Sequence, residues 1–203
     1  SGTIGGATIR KFLLEKVRIV RQNPKERNFH IFYEIFHLEK NEMNKLNLGS
    51  HHNGKTPSDF HYLNQSGVDS VASIDDKFDF NTTIDAMEKM GMNEICRLNI
   101  CKILFGILYT GNISFAVDPN DQGDKCIPNP NDGSELSLQT MCSLLGFEYN
   151  NVLSALCERK MSVGNVSVNS TIYQALDNRD AFAKCLYSSL FDWLVSRLNM
   201  TIA

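Results

Sequence analysis

The sequence predicts an α+β fold that is predominantly α-helical, with a few short strands and one hairpin. Three observations carry this reading. Apolar residues recur at three- and four-residue steps in several segments, the period of a helix with one buried face. Stretches rich in Gly, Pro, Asn and Asp separate those segments. One stretch, Met161 to Tyr173, abandons the helical period and sets valines among small polar residues. At 203 residues, 42% of them hydrophobic and 21% charged, the chain can bury a core without disulfides or metals, and a single domain over 1–203 is expected.

From the start, Ala7 to Val20 mixes alternation with β-branched residues and predicts a strand running into a buried segment. Asn23-Pro24 breaks it, and Phe29, Phe32, Tyr33 and Phe36 then mark a helix with an aromatic face. Asn47 to Asp59 has no apolar period and predicts a surface loop, with extended chain following at Phe60 to Asn64. Asp79 or Asn81 is expected to cap a helix carrying Ile84, Met87 and Met90, with Gly91 as its stop. Asn93 to Leu108 is apolar around most of its circumference and predicts the central helix.

Asp118 to Gly133 holds three of the five prolines and predicts a long exposed loop. Ser134 is expected to precede a helix through Leu145, ended by Gly146, and a second helix is expected over roughly Tyr149 to Arg159. A hairpin is expected over 160–173. The last helix, Asp180 to Asn199, spaces Phe182, Leu186, Leu190, Trp193 and Leu194 along a stripe widened by Ala183 and Tyr187, so packing on two sides is expected.

Composition narrows the function classes. A formal charge of −3 gives no general attraction to nucleic acid or anionic lipid, so neither is expected as a partner. No apolar run approaches the roughly 20 residues of a spanning helix. The six cysteines, Cys96, Cys101, Cys126, Cys142, Cys157 and Cys185, contain no CxxC pair and mostly sit in apolar periodic segments, which predicts free thiols and an intracellular setting.

Candidate chemistry is sparse. His51 and His52 are adjacent in a loop with no third or fourth metal ligand nearby, so no metal site is expected. Cys96 and Cys101 fall in the apolar helix, where burial keeps a thiol inert. Asp75 and Asp76 precede a helix and fit capping or solvated roles better than general acid and base. No GxxxxGK[ST] phosphate loop occurs, so the chain alone is expected to hold no nucleotide and to have no catalytic residue. Ser162, Ser167, Ser170 and Thr171 cluster near the hairpin as candidate phosphate acceptors, against the plainer reading of a polar hairpin surface.

Beyond this, ordered blocks resemble the myosin motor head. They run from GGATIRKFLLEKVRIV near residue 5 through ERNFHIFYEIF, FHYLNQSG, IDDKFDFNTTIDAMEKMG, ICKILFGILYTGNISF and LLGFEYNNVLSALCERK to NRDAFAKCLYSSLFDWLVSRLN. The resemblance implies the upper 50 kDa part of the P-loop motor fold, between switch I and switch II, whose NxNSSRFG and DIxGFE patterns are not in the sequence. It implies a cytoplasmic, cytoskeletal, ATP-driven actin motor as parent. ATP and Mg, and light chains, would then engage regions outside this chain. The partners of this segment would be the actin filament and the remainder of the head, its role in actin binding and cleft closure. A non-motor helical interaction or scaffold module derived from such a head is the alternative.

Within the resemblance, 118–133 is similar to loop four and 160–173 to the cardiomyopathy loop. The implied actin-binding residues are Arg159, Lys160, Gly164, Asn165, Val166, Ser167, Val168 and Asn169. Many relatives carry Thr, Glu, Asp or Ser sixteen residues before the DALAK-like motif, but counting back from Asp180 reaches Gly164. A one-residue gap brings Ser162 or Ser167 into consideration as a phosphorylation site.

Overall fold

The computed structural model describes residues 7–49, 52–121, 125–160 and 167–202. The central element is an 18-residue helix, α6 (Glu94–Gly111), because its sequence is apolar around most of its circumference. Its amino end is capped by Asn93, whose side chain accepts the Cys96 amide at 2.9 Å. Leu104, Phe105, Ile107, Leu108 and Tyr109 are all buried.

Among the described residues five α-helices precede it, three more than the two expected: α1 (Val17–Val20), α2 (Ile31–Glu34), α3 (Lys40–Lys45), α4 (His61–Asn64) and α5 (Asp76–Lys89). The expected strand over Ala7 to Val20 is absent. Residues 7–15 form no regular element, and Ile9 exchanges two hydrogen bonds with the Asn199 side chain near the end of the last helix, at 2.7 and 2.9 Å. Side-chain amide bonds stand where a strand ladder was expected. The chain becomes helical only at Val17, where Ile19 and Val20 enter the core.

The expected extended stretch at Phe60 to Asn64 is likewise helical. Thr56 and Asp59 form a capping box around Pro57, and the Asn112 side chain accepts the His61 amide at 2.7 Å, so a turn is nucleated there. The preceding loop is not wholly on the surface. His52 is buried, bonded through Nδ1 to the Tyr109 hydroxyl at 2.9 Å and ringed by Phe36, Phe60 and Phe105. Asp75, rather than Asp79 or Asn81, caps α5 by accepting the Lys77 and Phe78 amides. Asp76 is not solvated: it meets the buried Arg27 guanidinium at 2.7 Å.

After α6 come β1 (Phe115–Val117) and β2 (Cys126–Pro128), an antiparallel pair in which Ala116 faces Ile127. The expected loop at 118–133 is therefore partly a hairpin arm. Next are α7 (Ser134–Leu145), stopped by Gly146 at φ 70°, and α8 (Tyr149–Cys157), two residues shorter than expected because β3 (Glu158–Lys160) begins at once. A second antiparallel pair joins β3 to β4 (Ser167–Asn169). The last helix, α9 (Ile172–Ile202), starts eight residues earlier than expected and has 31 residues.

α6 packs against α7 on one side and α9 on another. Gly106 lets α7 come close, since an added Cβ would meet Leu145 at 2.8 Å, and Gly111 does the same for α4, where it would meet the Tyr62 ring at 2.6 Å. Tyr187 of α9 stacks on Phe29 at 5.1 Å and leans on Phe32. The expected two-sided burial of α9 is not complete. Trp193 is 44% exposed, and Leu186, Leu190 and Leu194 are only partly buried.

The junction of α4, α6 and α9 is held by Arg179. Its guanidinium is buried and donates to the carbonyls of Gly111 at 3.3 Å and Ile113 at 2.9 Å. Asp180 pairs with it at 2.7 Å and also accepts the Tyr62 hydroxyl at 2.7 Å. Arg179→Met leaves two carbonyls and a carboxylate without this donor. The expected cost is about 3–5 kcal/mol, read as a lower denaturant midpoint with an unchanged slope.

Candidate functional site

The β3–β4 hairpin arises where α8 ends and α9 begins. Glu158 faces Asn169, Arg159 faces Val168 and Lys160 faces Ser167. Its base is fixed from both helices. The Ser170 amide donates to the Cys157 carbonyl at 2.7 Å, and the Asn178 side chain donates to the Leu156 carbonyl at 3.0 Å. Thr171 and Gln174 bond reciprocally, with the Thr171 amide on Gln174 Oε1 at 3.0 Å and the Gln174 amide on Thr171 Oγ1 at 3.2 Å. This capping box starts α9 and explains why the helix claims Tyr173, which sequence reading gave to the hairpin.

Of the residues implied for binding, Arg159, Lys160, Ser167, Val168 and Asn169 lie in the two strands. Val168 is half-buried and Asn169 exposed. Gly164, Asn165 and Val166 fall outside the described residues, as does Ser162. Ser170 is 1% exposed and so is not available as a phosphate acceptor in the folded chain.

The β1–β2 hairpin stands beside this base, with β1 packed on α9 and β2 on α8 and α7. Within the turn the Asp118 amide donates to the Lys125 carbonyl at 2.8 Å, and Asp118 Oδ1 accepts the Asn120 amide at 2.9 Å. At the root of the hairpin, Asp132 accepts from the Ser134 hydroxyl at 2.6 Å, the Ser134 amide at 3.0 Å and Asn129 at 3.1 Å, and from the Ser114 hydroxyl. Partial burial by itself raises this carboxyl, but the four donors outweigh it and hold it below its usual range.

Sequence reasoning missed the anchors: Thr171 and Gln174, Asn178, Asp132 and Arg179. A Thr-x-x-Gln spacing ahead of a helix was readable as a capping box. The other contacts join positions far apart in sequence. Cys126, the first residue of β2, and Cys157, the last of α8, are both buried. Both belong to a chain in which all six cysteines are free.

With this geometry established, the kinship of the chain is direct. A helical platform whose central helix and final helix carry two short hairpins at one end is the class of structure seen here, and the family description "Myosin head (motor domain)" matches residues 1–203. The chain belongs to the myosin head family. It is 38% identical to Myosin-4 of Saccharomyces cerevisiae over 98% of its length, covering 13% of that protein. It is 35% identical to Myosin-11 of Arabidopsis thaliana over 99% of its length, and 34% identical to Myosin-H heavy chain of Dictyostelium discoideum over 99%, again covering 13% of each. The chain thus spans roughly an eighth of the length of these relatives.

The Asp132 cluster gives a pH test. Because its folded-state pKa lies below the unfolded value of about 3.9, its stabilisation is complete above that value and is lost as pH falls through the folded one. The stability advantage of wild type over Asp132→Asn should be widest above about pH 5 and shrink below about pH 4. Denaturant melts at stepped pH read this directly, and an advantage that grows on acidification contradicts the assignment.

Proposed function

We propose that this chain forms the filament-facing upper part of an ATP-driven actin motor head. Its role is to carry the β3–β4 hairpin, and the neighbouring β1–β2 hairpin, to actin. The observation that carries this reading is the clamp at the hairpin base, where Cys157, Leu156, Ser170 and Asn178 tie the strands to both α8 and α9. Binding elements are commonly loops set on a rigid scaffold, and this arrangement turns a short hairpin into a fixed projection. Membership in the myosin head family supports the actin filament as the partner.

In this reading 1–203 acts as one domain, 118–133 corresponds to loop four, and 160–173 to the cardiomyopathy loop, with its last two residues serving as the start of α9. Arg159, Lys160 and 164–169 make the filament contact. ATP and Mg bind elsewhere in the parent, as do light chains, and closure of the cleft between this part and the remainder of the head transmits nucleotide state to the hairpin. The parent works in the cytoplasm on the cytoskeleton. Phosphate on Ser162 or Ser167 would add up to two negative charges to the contact and so tune it. Native protein found unmodified at both serines by mass spectrometry removes that regulatory claim.

The test replaces residues 160–168 with a Gly-Ser linker in the intact protein. Filament affinity measured by cosedimentation should fall about tenfold, equivalent to about 1.4 kcal/mol, while ATP turnover without actin stays within about twofold. Residues 1–203 alone should show no turnover. Unchanged filament affinity would reject the hairpin as a contact.

A further inference from the structure

We propose that a pocket walled by α2, α5, α6 and α9 binds a small arylalkyl primary amine, with its ammonium group on the Glu34 carboxylate and its ring in the apolar remainder. The pocket has a volume of about 250 Å³. It lies where α2 packs on α5 and α6, and α6 packs on α9. Met87, Leu104, Leu190 and Leu194 supply its apolar wall. Met87, Leu190 and Leu194 are only partly buried, so the pocket reaches solvent along α5 and α9. An apolar cavity of roughly 150 Å³ accommodates benzene, and this larger space takes one ring with a short arm.

The polar corner of the pocket is a single pair. Glu34 is 7% exposed, and its Oε2 accepts the Thr83 hydroxyl at 3.1 Å. Both residues line the pocket. A neutral hydroxyl does not balance a buried carboxylate, and among the described residues no cation lies within ion-pair distance of Glu34. Arg27 is engaged elsewhere, with Asp76 at 2.7 Å and with the face of the Tyr33 ring. Burial raises the Glu34 carboxyl above its ordinary range, Thr83 and His30 oppose the rise, and Asp79 and Asp76 add to it. The corner is short of positive charge.

These features select the class of ligand. A primary ammonium donates to the carboxylate in a charge-assisted bond, which is stronger than a neutral one, and the Thr83 hydroxyl keeps its own bond to Oε2. An anion is repelled at the same corner. A neutral arene of equal shape fills the apolar wall but leaves Glu34 without a counter-charge. A few placed polar groups in a mostly apolar pocket fix orientation in this way. The walls come from four helices of this chain and leave room for one ring, so the occupant is a free small molecule. Nothing in this site depends on the actin-facing reading of the hairpins.

In the test, the intact protein is titrated with 2-phenylethylamine and with 2-phenylethanol, which has the same shape without the charge. Affinities come from calorimetry, and the methyl signal of Met87, assigned by its loss in Met87→Leu, reports the place of binding by NMR. The amine should bind at least about tenfold more tightly than the alcohol and should shift the Met87 signal. Glu34→Gln should erase that preference, and Met87→Leu, which keeps the carboxylate, should retain it. If Glu34→Gln does not fold, the wild-type preference together with the Met87 shift decides the matter. Equal affinity for the two probes, amine binding that leaves the Met87 signal in place, a preference that survives Glu34→Gln, or no binding at millimolar amine each overturns the proposal.

Discussion

The fold depends on what happens to the carbonyls at the carboxyl end of α6. A helix this apolar can sit in the centre of the protein, but its last carbonyls then end in the interior without water. Arg179 resolves this by reaching from α9 to Gly111 and Ile113. A buried guanidinium is itself costly, and Asp180 compensates it while also holding the Tyr62 hydroxyl. Burial pushes the Tyr62 phenol well above its ordinary range, so it remains a donor. One ion pair therefore sets the mutual position of α4, α6 and α9.

The placement of both hairpins follows from this junction. β1 leaves the end of α6 only a few residues past the carbonyls that Arg179 holds, and α9 begins just upstream of Arg179 at the capping box of Thr171 and Gln174. The hairpins cannot lie at opposite ends of the platform. At the root of the β1–β2 hairpin Asp132 gathers Ser114, Asn129 and Ser134 around one carboxylate. At the far end of α9 the packing is looser. An apolar groove of about 580 Å³ runs between α6 and α9, bordered by Ile95, Cys96, Phe147, Leu186 and Trp193.

The helices were legible in the sequence wherever period and punctuation agreed. α7 was readable to within a residue, because Ser134 and Gly146 lie at its ends, and α6 runs three residues past its expected carboxyl end. Errors arose where a local rule competed with a distant partner. Ala7 to Val20 alternates like a strand, but the Asn199 side chain completes its bonding from the far end of the chain. His52 sits in a polar loop that composition assigns to solvent, and an aromatic cage drew it inward. The site was legible only as a hairpin and as a family likeness. Its anchors, Asn178 on Leu156 and Ser170 on Cys157, are tertiary, and no spacing encodes them.

The central claim is that a rigid helical platform presents the β3–β4 hairpin to the filament. Hydrogen exchange on the intact protein, with and without actin filaments, tests it most directly. The account predicts that amides in 158–160 and 167–169 slow on filament binding, while those of α6 from Leu104 to Thr110 are strongly protected in both states. Unchanged exchange in the hairpin, with new protection concentrated along the groove at Ile95 and Trp193, would contradict it.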